Sequence, residues 1–385
     1  MISVNDPSPE PNPESDTLNE PSILFLSDGG QEATVAADLI VGFIDAARTT
    51  LDVAIYDAHF DGPRIDTANP GNRIIHALNT AERRGVVVRA VYNDDDGPRG
   101  PYPHSHEPTA GPNFLARLSR AVPARGVDGR FDLMHHKYIV RDAMVPANAA
   151  VLTGSANWTN DSFTRMENAI LTIPDRGLAA AYTKDFEELW RRREIEGSGR
   201  FDDDWSTIRY GGEPFMVRAI FSPGRGRTMS QQIARRIAEA KVRVLICSPV
   251  ITSTPILGTV AEVVSDERVP VSIVTDGTQM REVLQQWRSD GRGSWKIPLY
   301  RVLQDSGVLA EKHSTPYSPD ALHDFMHAKL VVADDWVITG SFNASHSGEK
   351  NAENVVEVES RPFADECAAF VERVHSAYFR PSPTA

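Results

Sequence analysis

One pattern of residues occurs twice in this chain, and that repetition limits the possible folds more than any bulk property does. The stretch FDLMHHKYIVRD, 131–142, sets His135, Lys137 and Asp142 in the arrangement H-x-K-x4-D, and HDFMHAKLVVADD, 323–335, repeats it with His327, Lys329 and Asp334. Asp324 and Met326 also repeat the Asp132 and Met134 that precede the first histidine. Each copy is followed by G-S-x-N: Gly154, Ser155 and Asn157 in one, Gly340, Ser341 and Asn343 in the other. Ten residues after each asparagine comes a Glu-Asn pair, beginning at Glu167 and at Glu353. The copies differ in one gap, from the motif aspartate to the glycine, which is six residues longer in the first copy because of the stretch AMVPANAA; Pro146 within it fits a turn between two strands.

The flanks match as well. ILFLSDGGQEATVAADLIVGFIDAARTTLDVAIYDA and RAIFSPGRGRTMSQQIARRIAEAKVRVLICSPVI both read as strand, Gly-rich turn, amphipathic helix and strand. Val35, Leu39, Phe43 and Ile44 form the apolar stripe of one helix, and Ile233, Ile237 and Ala240 that of the other. A second helix and strand follow in each half before the histidine motif. The expected class is α/β: two similar domains, each a mixed, mostly parallel β-sheet flanked by helices, packed face to face with pseudo-twofold symmetry so that both motifs meet in one site. The expected boundaries are a disordered, acidic, Pro-rich tail over 1–21, a first domain over 22–195, a linker over 196–214 and a second domain over 215–385.

With 385 residues each half can bury its own core. The N-terminal residues show no apolar h-region, no run of eighteen apolar residues occurs, and Cys247 and Cys367 sit in apolar contexts that suit reduced, buried thiols. The expectation is a cytoplasmic monomer with no obligate partner and at most peripheral membrane contact. A net charge of −13 argues against a surface that coats nucleic acid, though not against a basic cleft. Arg83 and Arg84, Arg191 to Arg193, and Arg225, Arg227, Arg235 and Arg236 read as solvated helix faces paired with nearby glutamates.

The doubled motif resembles the phospholipase D superfamily, whose members carry two H-x-K-x4-D motifs, each trailed by G-S-x-N. The resemblance runs over residues 22–380 and implies two phospholipase D-like domains sharing one site. It is far less specific about substrate, since that superfamily includes phospholipases, cardiolipin hydrolases and synthases, phosphatidyltransferases and nucleases.

A phosphodiester resists attack because it is anionic and its leaving group is poor. Without a metal or cofactor, an enzyme must supply a nucleophile, an acid for the leaving oxygen and cations for the phosphoryl oxygens. Two His, two Lys and two Asn meet that requirement. The resemblance implies that one histidine, His135 being favoured, attacks phosphorus to form a phosphohistidine while the other, His327, protonates the leaving alcohol. Lys137, Lys329, Asn157 and Asn343 would hold the phosphoryl oxygens. Ser155 and Ser341 either join them or serve as turn hydroxyls. Glu167 and Glu353 would each accept from the far ring nitrogen of a histidine, the alternative being surface carboxylates on a strand. Asp142 and Asp334 look structural, as they generally are in the family. His104, His106, His136, His313 and His323 lack the spacing of a metal site and read as loop histidines. Tyr317 and His323 either line the mouth of the site or pack.

The expected function is therefore phosphodiester hydrolysis of the phospholipase D type, with a phospholipid, cleaved to a phosphatidate, as the lead substrate. The alternatives are a metal-independent nuclease acting on DNA or RNA, a phosphatidyltransferase and, least favoured because both motifs are whole, an inactive scaffold.

Overall fold

Each half lays down its sheet in the same order. The computed structural model describes residues 20–59, 69–94, 112–129, 132–201, 204–318 and 321–380; residues 1–19 of the acidic tail and the histidines His104 and His106 lie outside them. The first half runs β1 (Ser22–Leu26), α1 (Ala33–Asp45), β2 (Thr50–Ile55), β3 (Ala58–His59), α2 (Pro70–Arg83), β4 (Val87–Asp94), α3 (Pro112–Arg117) and β5 (Ala124–Asp128). It continues through β6 (Lys137–Arg141), β7 (Ala150–Gly154), β8 (Trp158–Thr159), α4 (Asn160–Thr164), β9 (Asn168–Ile173) and α5 (Arg176–Arg192). The second half begins with β10 (Ser206–Tyr210), β11 (Glu213–Ser222), α6 (Gly226–Glu239), β12 (Val244–Cys247), α7 (Thr254–Ser265), β13 (Val271–Asp276) and α8 (Gly277–Asp290). It ends with α9 (Ile297–Asp305), β14 (Leu309–Lys312), β15 (Leu330–Ala333), β16 (Trp336–Gly340), β17 (Glu353–Glu359) and α10 (Arg361–Tyr378).

The sheet orders are β1-β9-β7-β6-β2-β4-β5 and β10-β11-β17-β16-β15-β12-β13-β14, one topology repeated with β10 added at an edge. Both sheets are mixed, but the expectation that they are mostly parallel is corrected. Only β2-β4-β5 and β12-β13-β14 pair in parallel. Helical crossovers occur early in each half; at the motif strand the chain re-enters the sheet in the reverse direction, and short turns then join β6 to β7 and β15 to β16, which allows only antiparallel neighbours. The stretch expected as a linker, 196–214, contains β10, which pairs antiparallel with β11.

Local signals fix the helices. Asn69 caps α2 by accepting from the Gly71 and Asn72 amides, with Pro70 as the first helical residue, and Asp175 caps α5 by accepting from Leu178. In α1 the buried residues are Ala36, Ala37, Ile40, Phe43 and Ile44. Val35, read as part of that stripe, is 43% exposed because the face lies one residue further along.

Three apolar clusters stack through the molecule. One sits between α1, α2 and the outer face of the first sheet, another between α6, α7, α9 and the outer face of the second. The third joins the halves: Tyr138, Leu171 and Phe186 of the first pack with Phe221, Val356, Phe363 and Phe370 of the second. Phe25 stacks on Phe370 across this interface, ring centroids 4.4 Å apart. Each such fully buried side chain contributes roughly 1.5–3 kcal/mol, so the halves are held face to face by a core rather than by surface contact. Cys247 and Cys367 are free and buried in it.

Candidate active site

The motif residues are delivered by backbone features that explain the motif's composition. Gly154 and Gly340 end β7 and β16 at φ 155° and 151°, where a Cβ would lie 2.1 Å from the Ala169 carbonyl oxygen and 2.3 Å from that of Asn354. Only glycine lets these strands approach their Glu-Asn neighbours so closely. Asp142 and Asp334 turn the chain at φ 49° and 55°, directly after β6 and β15. The Asp142 carboxylate accepts from the amides of Arg48, Thr49 and Thr50, and that of Asp334 from those of Lys241, Val242 and Arg243. Both aspartates thus tie the motif strand to the turn after the first helix of their half.

Each histidine lies just before its strand and is anchored to the opposite half. The His135 amide donates to the Ala352 carbonyl at 2.9 Å, and the His327 amide to the Glu167 carbonyl at 3.2 Å. Met134 bridges to Ala352, whereas Met326 bridges to Glu167, both in parallel. Ala352 precedes its Glu-Asn pair and Glu167 begins the other, so the two crossings differ in register by one residue. Successive strand residues face opposite ways, so such a slip changes which side chain meets the histidine.

The side chains follow the slip. His135 Nδ1 lies 2.8 Å from Glu353 Oε2, and His327 Nδ1 lies 3.0 Å from Asn168 Oδ1. The expectation that Glu167 supports a histidine is therefore corrected. Glu167 is drawn instead to Lys312 Nζ at 2.9 Å, to the Tyr378 hydroxyl and to the Asp28 amide. Lys137 Nζ donates to the His135 carbonyl at 2.7 Å and Lys329 Nζ to that of His327 at 2.6 Å, which curls each lysine back beside its own histidine. The Oδ1 atoms of Asn157 and Asn343 are buried with no partner. The serine hydroxyls make turn contacts, Ser155 donating to Asn168 Oδ1 and accepting from the Ala169 amide and Ser341 accepting from the Asn354 amide, while the Ser341 and Ser155 backbones hydrogen-bond His135 and His327.

Burial sets the electrostatics. It holds the His135 and His327 imidazoles well below the ordinary histidine range, with Lys137 and Lys329 adding to the effect. It also lowers Lys137 to about 7, lowers Lys329 well below the lysine range with Lys137 contributing, and raises Glu353 to about 7. These mutual influences place both motifs in one electrostatic unit. Without an anion the cleft disfavours positive charge; a bound phosphodiester would restore it.

His136, read as a loop histidine, is wholly buried, with Nε2 3.1 Å from Asp185 Oδ2. His313 is exposed, and among the described residues no three His, Cys, Asp or Glu side chains are placed to hold an ion. Tyr317 and His323 stack on one another, and His323 on Phe325, just before the second motif. The arginines at 84, 191 and 235 pair with Asp45, Glu187 and Glu239 on the surface, whereas Arg236 reaches the buried Glu357. Sequence reasoning missed Asn168, Asn354, Lys312 and His136. The one available signal was the difference between HHK and HAK in the two motifs.

The domain family described as cardiolipin synthase, PLD-like domain, matches this chain twice, over residues 40–190 and 233–375. The mitochondrial cardiolipin hydrolase of Xenopus laevis is 35% identical over 117 residues, which is 30% of this chain and 48% of that protein. The protein of the same name from Drosophila melanogaster is 28% identical over 176 residues, 41% of this chain and 60% of that protein. The chain thus spans about half the length of the curated relatives it matches. Among solved structures, phosphatidylserine synthase from Haemophilus influenzae superposes with a TM-score of 0.62 at 15% identity, covering 94% of this chain and 90% of that one, and so shares its fold. No helix among the described residues is long and apolar enough to cross a membrane.

Proposed function

The chain belongs to the phospholipase D superfamily, and from that premise we propose that it hydrolyses a phospholipid phosphodiester, leaving a phosphatidate and a free alcohol, through a phosphohistidine. The observation that carries this reading is the meeting of His135 with Glu353 and of His327 with Asn168 across the two halves, with a lysine beside each ring. The names of the relatives support a lipid diester, cardiolipin among them.

His135 Nε2 attacks phosphorus as the bond to the leaving oxygen breaks, and protonated His327 gives that oxygen its proton. Water then attacks phosphorus, passing a proton to His327, and the phosphorus–nitrogen bond breaks. Glu353 stabilises the positive charge that the His135 ring carries while phosphorylated. Lys137, Lys329, Asn157 and Asn343 hold the phosphoryl oxygens. The His327 proton arrives with the substrate, whose negative charge offsets the lysines that keep the empty site neutral. The lysines supply the charge a divalent ion would otherwise bring, so turnover should persist in EDTA; loss restored by a divalent cation would overturn that part.

The test is a parallel assay on vesicles of phosphatidylcholine and of cardiolipin, and on single-stranded DNA and RNA, with His135→Ala as the blank. Headgroup or phosphatidate release is expected. Oligonucleotide cleavage alone would replace the lipid by a nucleic acid, and transfer to an added alcohol in preference to water would make the enzyme a phosphatidyltransferase.

A further inference from the structure

In both half-sites one member of the Glu-Asn pair supports a histidine, and the other grips the opposite half of the protein. The members exchange these jobs. On the His135 side the grip is made by Asn354: its Oδ1 accepts from Thr153 Oγ1 and the Tyr182 hydroxyl, both at 2.8 Å, and its Nδ2 lies 3.0 Å from His136 Nδ1. His136 therefore accepts at Nδ1 and carries its proton on Nε2, which lies 3.1 Å from Asp185 Oδ2 but makes no aligned hydrogen bond to it; that carboxylate takes the Tyr138 hydroxyl at 2.8 Å. Asn354 and His136 are both 0% exposed, so releasing that amide would strand a buried polar group. With Asn354 held, Glu353 one residue earlier must point the other way, towards His135.

On the His327 side the residue matching His136 is Ala328, which has no ring to offer. Asn168 is left to its own half, where its Nδ2 donates to the Ser162 carbonyl at 3.0 Å, and its Oδ1 turns to His327. Here Glu167 makes the grip, on Lys312. Asn93 and Asp276 mark equivalent places, since each accepts the amide of the methionine before its motif. Across the sheet Asn93 pairs with Val127 and Asp276 with Lys312, so the first half presents valine where the second presents lysine. Each grip is thus built in one half only, and each excludes the register adopted by the other.

We propose that His136 and Lys312 are positioning residues that hold the one-residue slip between the half-sites, so that His135 is always backed by a carboxylate and His327 always by an amide. The consequence for chemistry rests on the reading above. A carboxylate steadies the charge on the ring that bonds phosphorus, whereas an amide fixes the tautomer of the other ring without trapping its proton.

The resting protein offers a readout independent of turnover: the proton between His135 Nδ1 and Glu353 should resonate far downfield in spectra of ring-15N histidine. That signal should vanish in His136→Ala and persist in His136→Gln, whose amide oxygen can accept from Asn354 as the ring nitrogen does. In turnover, His136→Ala should lower kcat about 10-fold with KM little changed, and should cost nothing more in a Glu353→Gln background. If His136→Ala does not fold, Thr153→Val loosens the same amide and should weaken the signal and couple to Glu353→Gln in the same way. An unchanged downfield signal, or losses that simply add, would overturn the proposal. A wild-type enzyme that turned over no phosphodiester would remove the functional reading and leave the ring signal to judge the grip.

Discussion

The two half-sites descend from one pattern, yet they are not copies. In one a histidine leans on a carboxylate, in the other on an amide, and the cause is a crossing register that differs by a single residue. A symmetric homodimer of one such half would have to use the same register twice. Joining the halves in one chain lets Ala328 stand where His136 stands and Lys312 where Val127 stands, so two similar scaffolds can present two unequal imidazoles. In the proposed mechanism one ring bonds phosphorus while the other carries a proton, and the unequal supports suit those two roles.

The largest effect should come from removing either ring. His135→Ala and His327→Ala are each expected to lose about 10²- to 10⁴-fold in kcat. They should differ in what can be trapped: a labelled phosphoryl group on the enzyme should survive in His327→Ala, stalled before hydrolysis, and be absent from His135→Ala. The reverse pattern would invert the comparison while keeping the site.

A smaller contrast separates the supporting residues. Glu353→Gln should cost roughly 10- to 100-fold in kcat, since it removes charge from behind the nucleophile, whereas Asn168→Ala should cost less, since it removes only an orienting contact. Equal losses would mean that the rings are interchangeable after all.

The pH dependence of kcat/KM reports the empty enzyme. His135 must be neutral to attack, and burial with two lysines keeps it so below the ordinary histidine value, so activity should persist as the pH falls past 6.5 and fail only lower. On the other side His327 must be protonated to serve the leaving oxygen and burial lowers it as well, while Lys137 is lowered to about 7, so kcat/KM should fall as the pH rises through these values. Bound substrate favours the charged lysine, so the basic limb of kcat itself should lie at higher pH. A flat profile across this range would count against the whole assignment.

The repeated spacing made both histidines, lysines and asparagines of the site legible, along with the duplicated order of helices and strands. The antiparallel share of the sheets was harder to read, because apolar strands look alike whichever way their neighbours run. Strand β10 was hidden by the glycines and acidic residues around it, although Thr207, Ile208 and Arg209 alternate as an edge strand should. The pairing of Glu353 with His135, and the failure of Glu167 to do likewise, lay outside any motif. Spacing along a chain says nothing of register between strands that meet only after folding, and Lys312 belongs to no repeated pattern at all.

The motif aspartates extend the comparison to stability, with the smallest expected effects. The Asp142 carboxylate is buried and accepts from three backbone amides and the Thr49 hydroxyl, while Asp334 has three amides and is partly exposed to water. Removing the acceptor strands more donors away from solvent in the first case, so Asp142→Ala should cost roughly 2–3 kcal/mol and Asp334→Ala about 1 kcal/mol in urea unfolding. The Asp142 carboxyl is held below its ordinary value of 3.8 by these donors. Its folded pKa is thus the lower one, so its contribution is complete above the unfolded value and disappears as the pH falls through the folded value. The stability gap between wild type and Asp142→Ala should therefore close on acidification below 3.8. A gap that stayed constant into acid would mean that the lost stability comes from packing at the turn after α1 and not from the charge that ties the motif strand to it.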